Sequence, residues 1–299
     1  MHLRHPKSCL APLTALLIMF AFIANASETV LYDPDLNQPS IYWTLNGQVI
    51  GWTLGKGNWA GSISDGIVCL RVDDMQCTNW TGVKIQQGVM PHNWSHTHWL
   101  RVNPTVNSTT NFKTRVKLRL CDVAFNLTAP SRPKNESWVN VGISLWMQRP
   151  GTNWNGADPQ LEIGLKLFWL VNGEPYSGSP IHFKGDLGGD YHSLFDVYNE
   201  KTSDIGRWIE IELDTRSYIS KALKQWNIEY AILRDVDVYI ETIGGTGCLE
   251  IDYIQMDVYN EPQPPDITYC ALIFAFLFIA AAFILVIKLI KRGVKHHHS

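Results

Sequence analysis

The chain has 299 residues, 25 Lys+Arg against 28 Asp+Glu and a formal charge of −3. All 28 acidic residues but only 19 of the basic ones lie between two apolar end segments, so the intervening region carries −9, a balance that repels nucleic acid. That region is about 240 residues long, enough for one large all-β domain or two small ones, and no linker or internal repeat divides it.

In chain order, residues 1–26 combine a basic start (Arg4, His5, Lys7), an apolar run from Leu10 to Ala24 and the small-x-small triplet Ala24, Asn25, Ala26. This is the layout of a cleaved signal peptide and predicts a mature start near Ser27. Five Asn-x-Ser/Thr sequons follow, at Asn79, Asn93, Asn107, Asn126 and Asn135, as expected of a secreted glycoprotein. Of the six cysteines, Cys9 leaves with the signal and Cys270 falls in the C-terminal apolar run. Cys69, Cys77, Cys121 and Cys248 remain, an even set outside the cell that favours disulfides. The turn-like Asp73-Asp74 between Cys69 and Cys77 suggests a hairpin staple and leaves Cys121 for Cys248, one of three connectivities that four cysteines allow. His92, His96 and His98 have spacings that suit a metal, but the Asn93 sequon and the flanking Trp94 and Trp99 favour an exposed loop, and neither a metal site nor a cofactor is expected.

Alternating apolar and polar residues predict strands over Phe112 to Leu120, Val139 to Met147, Leu161 to Leu170, Trp208 to Leu213, Val236 to Glu241 and Leu249 to Val258. Helical spacing occurs over Ser217 to Leu233, where Ile219, Leu223, Trp226 and Tyr230 recur at three to four residues. The expected fold over 27–260 is therefore a mostly antiparallel β-sandwich with one packed helix. Residues 261–266 read as a Pro-rich stalk. The 21 uncharged residues 267–287 are long enough to span a bilayer, and the basic tail at 288–299 sets a cytoplasmic C-terminus. The expected location is the cell surface, as a type I single-pass membrane protein.

Strand parity places Glu162, Gly164, Lys166 and Phe168 on one face of their strand, opposite Leu161, Ile163, Leu165, Leu167 and Trp169. Asp237, Tyr239 and Glu241 share an outward face in the same way. Two glutamates on neighbouring strands of one face suit glycosidic hydrolysis, which needs a nucleophile and a general acid about 5 to 5.5 Å apart for retention. Glu210 and Glu212 are also outward on a strand and read as solvated.

Gln160-Leu161-Glu162-Ile163-Gly164-Leu165, running on to Phe168-Trp169-Leu170-Val171-Asn172-Gly173 and Pro175, resembles the nucleophile strand of glycoside hydrolase family 12. Leu233-Arg234-Asp235-Val236-Asp237-Val238-Tyr239-Ile240-Glu241 resembles the acid/base strand as archaeal members of that family write it. The strand Trp138 to Trp146 and the long loop Arg149 to Pro159 are similar to the family's preceding elements. The resemblance covers residues 110 to 258 and implies a jelly-roll endo-β-1,4-glucanase acting on a β-glucan without a cofactor. It makes Glu162 the nucleophile and Glu241 the acid/base. It also implies sugar contacts from Trp43, after Tyr42, and from Asn140, Trp146 and Tyr239.

The chain departs from the family at Gly164 and Lys166, where methionine and tryptophan are usual, and at Tyr239-Ile240, where Gly-Thr is usual. The family's carboxylate on the preceding strand is replaced by a choice among Asn140, Gly142 and Ser144. Lys166, about 13 Å along the strand from Glu162, is expected to be a solvated rim lysine. The alternatives to hydrolysis are a non-catalytic carbohydrate-binding or adhesion protein on the same sandwich, and a structural envelope protein with no ligand.

Overall fold

A computed structural model describes residues 27–38, 43–46, 57–64, 66–76, 80–89, 91–92, 99–128, 135–185, 189–198 and 201–260. The expected signal segment, stalk, membrane span and basic tail, with Tyr42, Cys77, Asn79, Asn93, His96 and His98, lie outside these residues. Among the described residues, no helix is long and apolar enough to cross a membrane.

The strands are β1 (Glu28–Thr29), β2 (Thr44–Asn46), β3 (Asn58–Ser64), β4 (Ile67–Asp73), β5 (Thr81–Gly88), β6 (Thr105–Asn107), β7 (Thr110–Phe125), β8 (Trp138–Gln148), β9 (Leu161–Val171), β10 (Glu174–Pro175), β11 (Ile181–Lys184), β12 (Tyr191–Asp196), β13 (Ile209–Asp214), β14 (Tyr230–Ile243) and β15 (Gly245–Asn260). Among the described residues one α-helix, α1 (Arg216–Gln225), precedes β14, and a 3-10 turn at Thr202–Asp204 precedes β13. Among the described residues, one sheet of six strands runs β13-β7-β15-β4-β3 with β1 added on β15. The other, of nine, runs β11-β12-β9-β8-β14-β5-β2 with β10 on β9 and β6 on β14. Alternate residues of both sheets meet in one core, including Val68, Leu70, Val116, Leu118, Ile143, Leu165, Val238 and Ile251. Two sheets facing each other across such a core make the expected β-sandwich.

All six predicted strands lie within observed ones or within a residue of them, and the loop 149–159 connects β8 to β9 as expected. The helix is shorter than its pattern. It stops at Gln225, the chain turns through Asn227 at φ 52°, and Tyr230 already begins β14. Ile219, Ala222 and Leu223 are the buried face, Trp226 caps the helix, and Tyr230, which continues the helical spacing, belongs to a strand instead.

The turn at Asp73-Asp74 is not a hairpin. β4 lies in the six-stranded sheet and β5 in the nine-stranded one, so this segment crosses between sheets and the premise for a Cys69–Cys77 staple is lost. Asp74 is buried there, its backbone N–H donating to the Gly245 carbonyl and its Oδ2 accepting from Gly244 N–H.

A β-bulge in β9 changes the parity read from the sequence. Val141 pairs with Phe168 but Gly142 pairs with Lys166, which leaves Leu167 as the extra residue. Phe168 therefore joins the core, and Trp169 turns to the other face, where its ring stacks on Tyr176 at 3.9 Å.

Candidate active site

The face of the nine-stranded sheet turned away from the core carries a polar row on each strand. On β14 these are Asp235, Asp237, Tyr239 and Glu241, and on β8 Trp146, Ser144, Gly142 and Asn140 stand opposite them in that order. On β9, Glu162 pairs with Trp146, Gly164 with Ser144 and Lys166 with Gly142. Beyond β9 comes β12, which pairs parallel to it and sets His192 beside Glu162. Glu162 and Glu241 thus share a face, with β8 between their strands. Their register positions lie six residues apart along β8, opposite Trp146 and Asn140, so strand spacing alone does not bring the carboxylates together as the sequence suggested. The Glu162 side chain leans back along β8 toward Ser144, in the direction of Glu241.

Each glutamate is almost buried, 8% exposed for Glu162 and 7% for Glu241. Glu162 Oε1 accepts from Ser144 Oγ at 2.5 Å and Oε2 from His192 Nδ1 at 2.5 Å. Burial alone would raise its carboxyl, but the hydrogen bond and charge of His192, with Ser144 and Lys166, hold it down at about 2. His192 answers in kind: burial works to lower it, and the Glu162 carboxylate overcomes this and raises it. The Trp146 ring meets His192 edge-on at 5.7 Å, and Phe183 stacks on its face at 4.6 Å. Ser144 and His192 together take the place of the carboxylate that the sequence resemblance expected beside the nucleophile.

Glu241 accepts three hydrogen bonds. Trp80 Nε1 donates to Oε2 at 2.9 Å, while Asn140 Nδ2 at 2.7 Å and Lys166 Nζ at 3.1 Å both donate to Oε1. Lys166 is therefore no solvated rim residue. It is 2% exposed, and its ammonium bridges Glu241 and the Tyr239 hydroxyl, 2.5 Å away. The reason lies in Gly142, whose missing side chain makes room for Tyr239: a Cβ there would stand 2.5 Å from the hydroxyl. Tyr239, 1% exposed, lies in the floor of the site rather than open to a sugar. Asn140 is likewise spent on Glu241, with only its Oδ1 unpartnered.

A second cluster continues the face. Lys84 on β5 pairs with Asp237 at 2.6 Å, and neither is more than 1% exposed. Burial raises Asp237 to about 6 against the opposing pull of Lys84, and burial also raises Asp235 well above the ordinary carboxylate value. Both Asp235 oxygens, Asp237 Oδ1, Gln86 Oε1 and Trp146 Nε1 are buried without a hydrogen-bond partner. Orphaned polar atoms concentrated on one face are a feature that a polyhydroxylated ligand or water would satisfy.

The structure does not bring Trp43 to this face. It is 2% exposed within the core, and its indole N–H donates to the Asp33 carbonyl. Glu210 and Glu212 are exposed on β13 of the other sheet, as expected. His92 is engaged by the Gly156 carbonyl and by Asp190, tying the 149–159 loop to the segment before β12. Of the described sequons, Asn135 is exposed and Asn107 half-buried, whereas Asn126 donates its amide to the Met75 carbonyl. The sequence reading missed His192, Trp80, Trp169 and the Lys84 pair. The alternation of Tyr191 to Asp196 marks a strand, but nothing in it reveals the parallel pairing that aims His192 at Glu162.

No protein-family model and no curated protein matches the sequence. Among solved structures, the chain is similar to a family 12 xyloglucanase from Bacillus licheniformis at 15% identity and a TM-score of 0.47, over 78% of this chain and 99% of that one. It is similar to an endoglucanase from Rhodothermus marinus at 15% identity and 0.44, over 78% and 98%. It is also similar to a family 11 xylanase from Neocallimastix patriciarum at 12% identity and 0.40, over 78% and 99%.

Proposed function

We propose that this chain is a glycoside hydrolase that cleaves internal β-1,4 bonds of a glucan with retention, at the cell surface, anchored by the helix expected at 267–287. The observation that carries this reading is the pair of nearly buried glutamates on one sheet face, Glu162 positioned by Ser144 and His192 and Glu241 by Trp80, Asn140 and Lys166. Glu162, ionised and aimed by Ser144 and His192, has the state a nucleophile needs. It attacks the anomeric carbon while Glu241 protonates the leaving oxygen. Glu241 then takes a proton from the water that releases the glycosyl-enzyme. Trp146 and Trp169 stand on the same face but are nearly buried, Trp146 against His192 and Trp169 against Tyr176.

The test is hydrolysis of soluble β-glucan by the wild type and by the Glu162→Gln and Glu241→Gln variants. Each variant is expected to lose roughly 10²-fold to 10⁴-fold or more in rate while staying folded. Proton NMR before mutarotation should show the β anomer first, and α product would exclude Glu162 as nucleophile. A second reading, a sugar-binding protein without catalysis, is favoured by the Lys166–Glu241 ion pair. In that arrangement Glu241 accepts three hydrogen bonds and donates none, whereas an acid must donate. Retained glucan binding with no product from any β-glucan would select it.

A further inference from the structure

Away from this face, three cysteines meet on the outside of the six-stranded sheet. Cys69 on β4 and Cys121 on β7 flank Cys248 on the central strand β15. Cys69 points outward because its neighbours Val68 and Leu70 point into the core. The two flanking thiols treat Cys248 differently. Cys69 Sγ lies 3.2 Å from Cys248 Sγ, sulfur against sulfur. Cys121 stands opposite Cys248 in register, yet its thiol donates to the Cys248 carbonyl oxygen at 3.2 Å.

We propose that Cys69 and Cys248 form a disulfide, in place of the hairpin staple that the sequence suggested for Cys69. The bond ties β4 to β15, the two strands whose register already places Cys69 opposite Glu250 and Cys248 opposite Arg71. Cys69, half-buried, is the entry thiol, since Cys248 is only 2% exposed. Its thiolate attacks a small-molecule disulfide such as oxidised glutathione and expels one glutathione thiol. Cys248 then attacks the Cys69 sulfur of the mixed disulfide and expels the second. Two protein thiols lose two protons and two electrons, and one glutathione disulfide becomes two thiols.

A metal centre on the same sulfurs is the competing use, because ligand atoms of Cys121, Cys248 and Glu250 lie within 4.8 Å of one another. Glu250 is already taken by Arg119, however.

The full-length protein, purified without reductant and equilibrated with oxidised glutathione, is digested with trypsin and a glutamate-specific protease after removal of N-glycans. The four ectodomain cysteines then fall in separate peptides: Cys69 in 57–71, Cys77 in 72–84, Cys121 in 120–134 and Cys248 in 242–250. Non-reducing mass spectrometry is expected to find 57–71 joined to 242–250. A 242–250 to 120–134 link, a 57–71 to 72–84 link, or unlinked thiols with bound zinc would each overturn the assignment. Closing 179 residues of chain should also show in stability. Cys69→Ser is expected to lower the melting temperature by roughly 10 °C, with Cys121→Ser near wild type. Equal losses in both variants count against it.

Discussion

At the residue scale, the Glu162–His192 pair makes stability depend on pH in a definite window. The Glu162 carboxyl sits at about 2 in the fold against an ordinary 4.5, so its contribution is complete above 4.5 and fades as pH falls toward 2. His192 is raised above 6.5, so its contribution is complete below 6.5 and is lost as pH climbs through the raised value. Both partners contribute together between about pH 4.5 and 6.5. Melting curves of wild type and His192→Asn should therefore differ most near pH 5.5 and converge on either side. A difference that ignores pH would mean that His192 acts through packing. Lys166 offers a complementary check. Removing it alone leaves a buried carboxylate without its cation, so Lys166→Met should cost about 3 to 5 kcal/mol in chemical denaturation. Adding Glu241→Gln to that variant should recover much of the loss, because no charge is then left unpaired. Additive losses would show that the two residues do not act as a pair.

Elements depart from their sequence patterns where the chain turns or bulges. The apolar spacing that suggests a helix as far as Leu233 is shared by two different elements, and Asn227 in the left-handed region divides them. Asn227→Gly should be neutral or slightly stabilising, since glycine adopts that conformation freely. Asn227→Val should cost about 1 to 2 kcal/mol, read from urea denaturation, and an unaffected valine variant would mean that the turn can relax. The bulge at Leu167 has a comparable effect on β9. Period-two reasoning holds from Leu161 to Lys166 and then inverts, which sends Phe168 to the core and Trp169 to the site. A strand's parity is legible only while its partner keeps step.

For the whole molecule, residues 25–260 form one compact unit with a continuous core shared by both sheets. A fragment of residues 27–260 is therefore expected to be soluble and folded without the C-terminal apolar run, as judged by circular dichroism and tryptophan fluorescence. Aggregation of that fragment would show that the run completes the domain. The sequence by itself determined six of the fifteen described strands, the sandwich class and the outward placing of Glu162 and Glu241, because alternation of apolar residues is local and survives in any register. The tertiary structure alone decided what each polar residue faces. The parallel β9–β12 pairing gives Glu162 its histidine, the gap at Gly142 takes in the Tyr239 hydroxyl that meets the Lys166 ammonium on Glu241, and the crossing after β4 separates Cys69 from a hairpin partner. Each of these contacts joins residues distant in the chain, and their partners are chosen by strand order and register, which no single strand encodes.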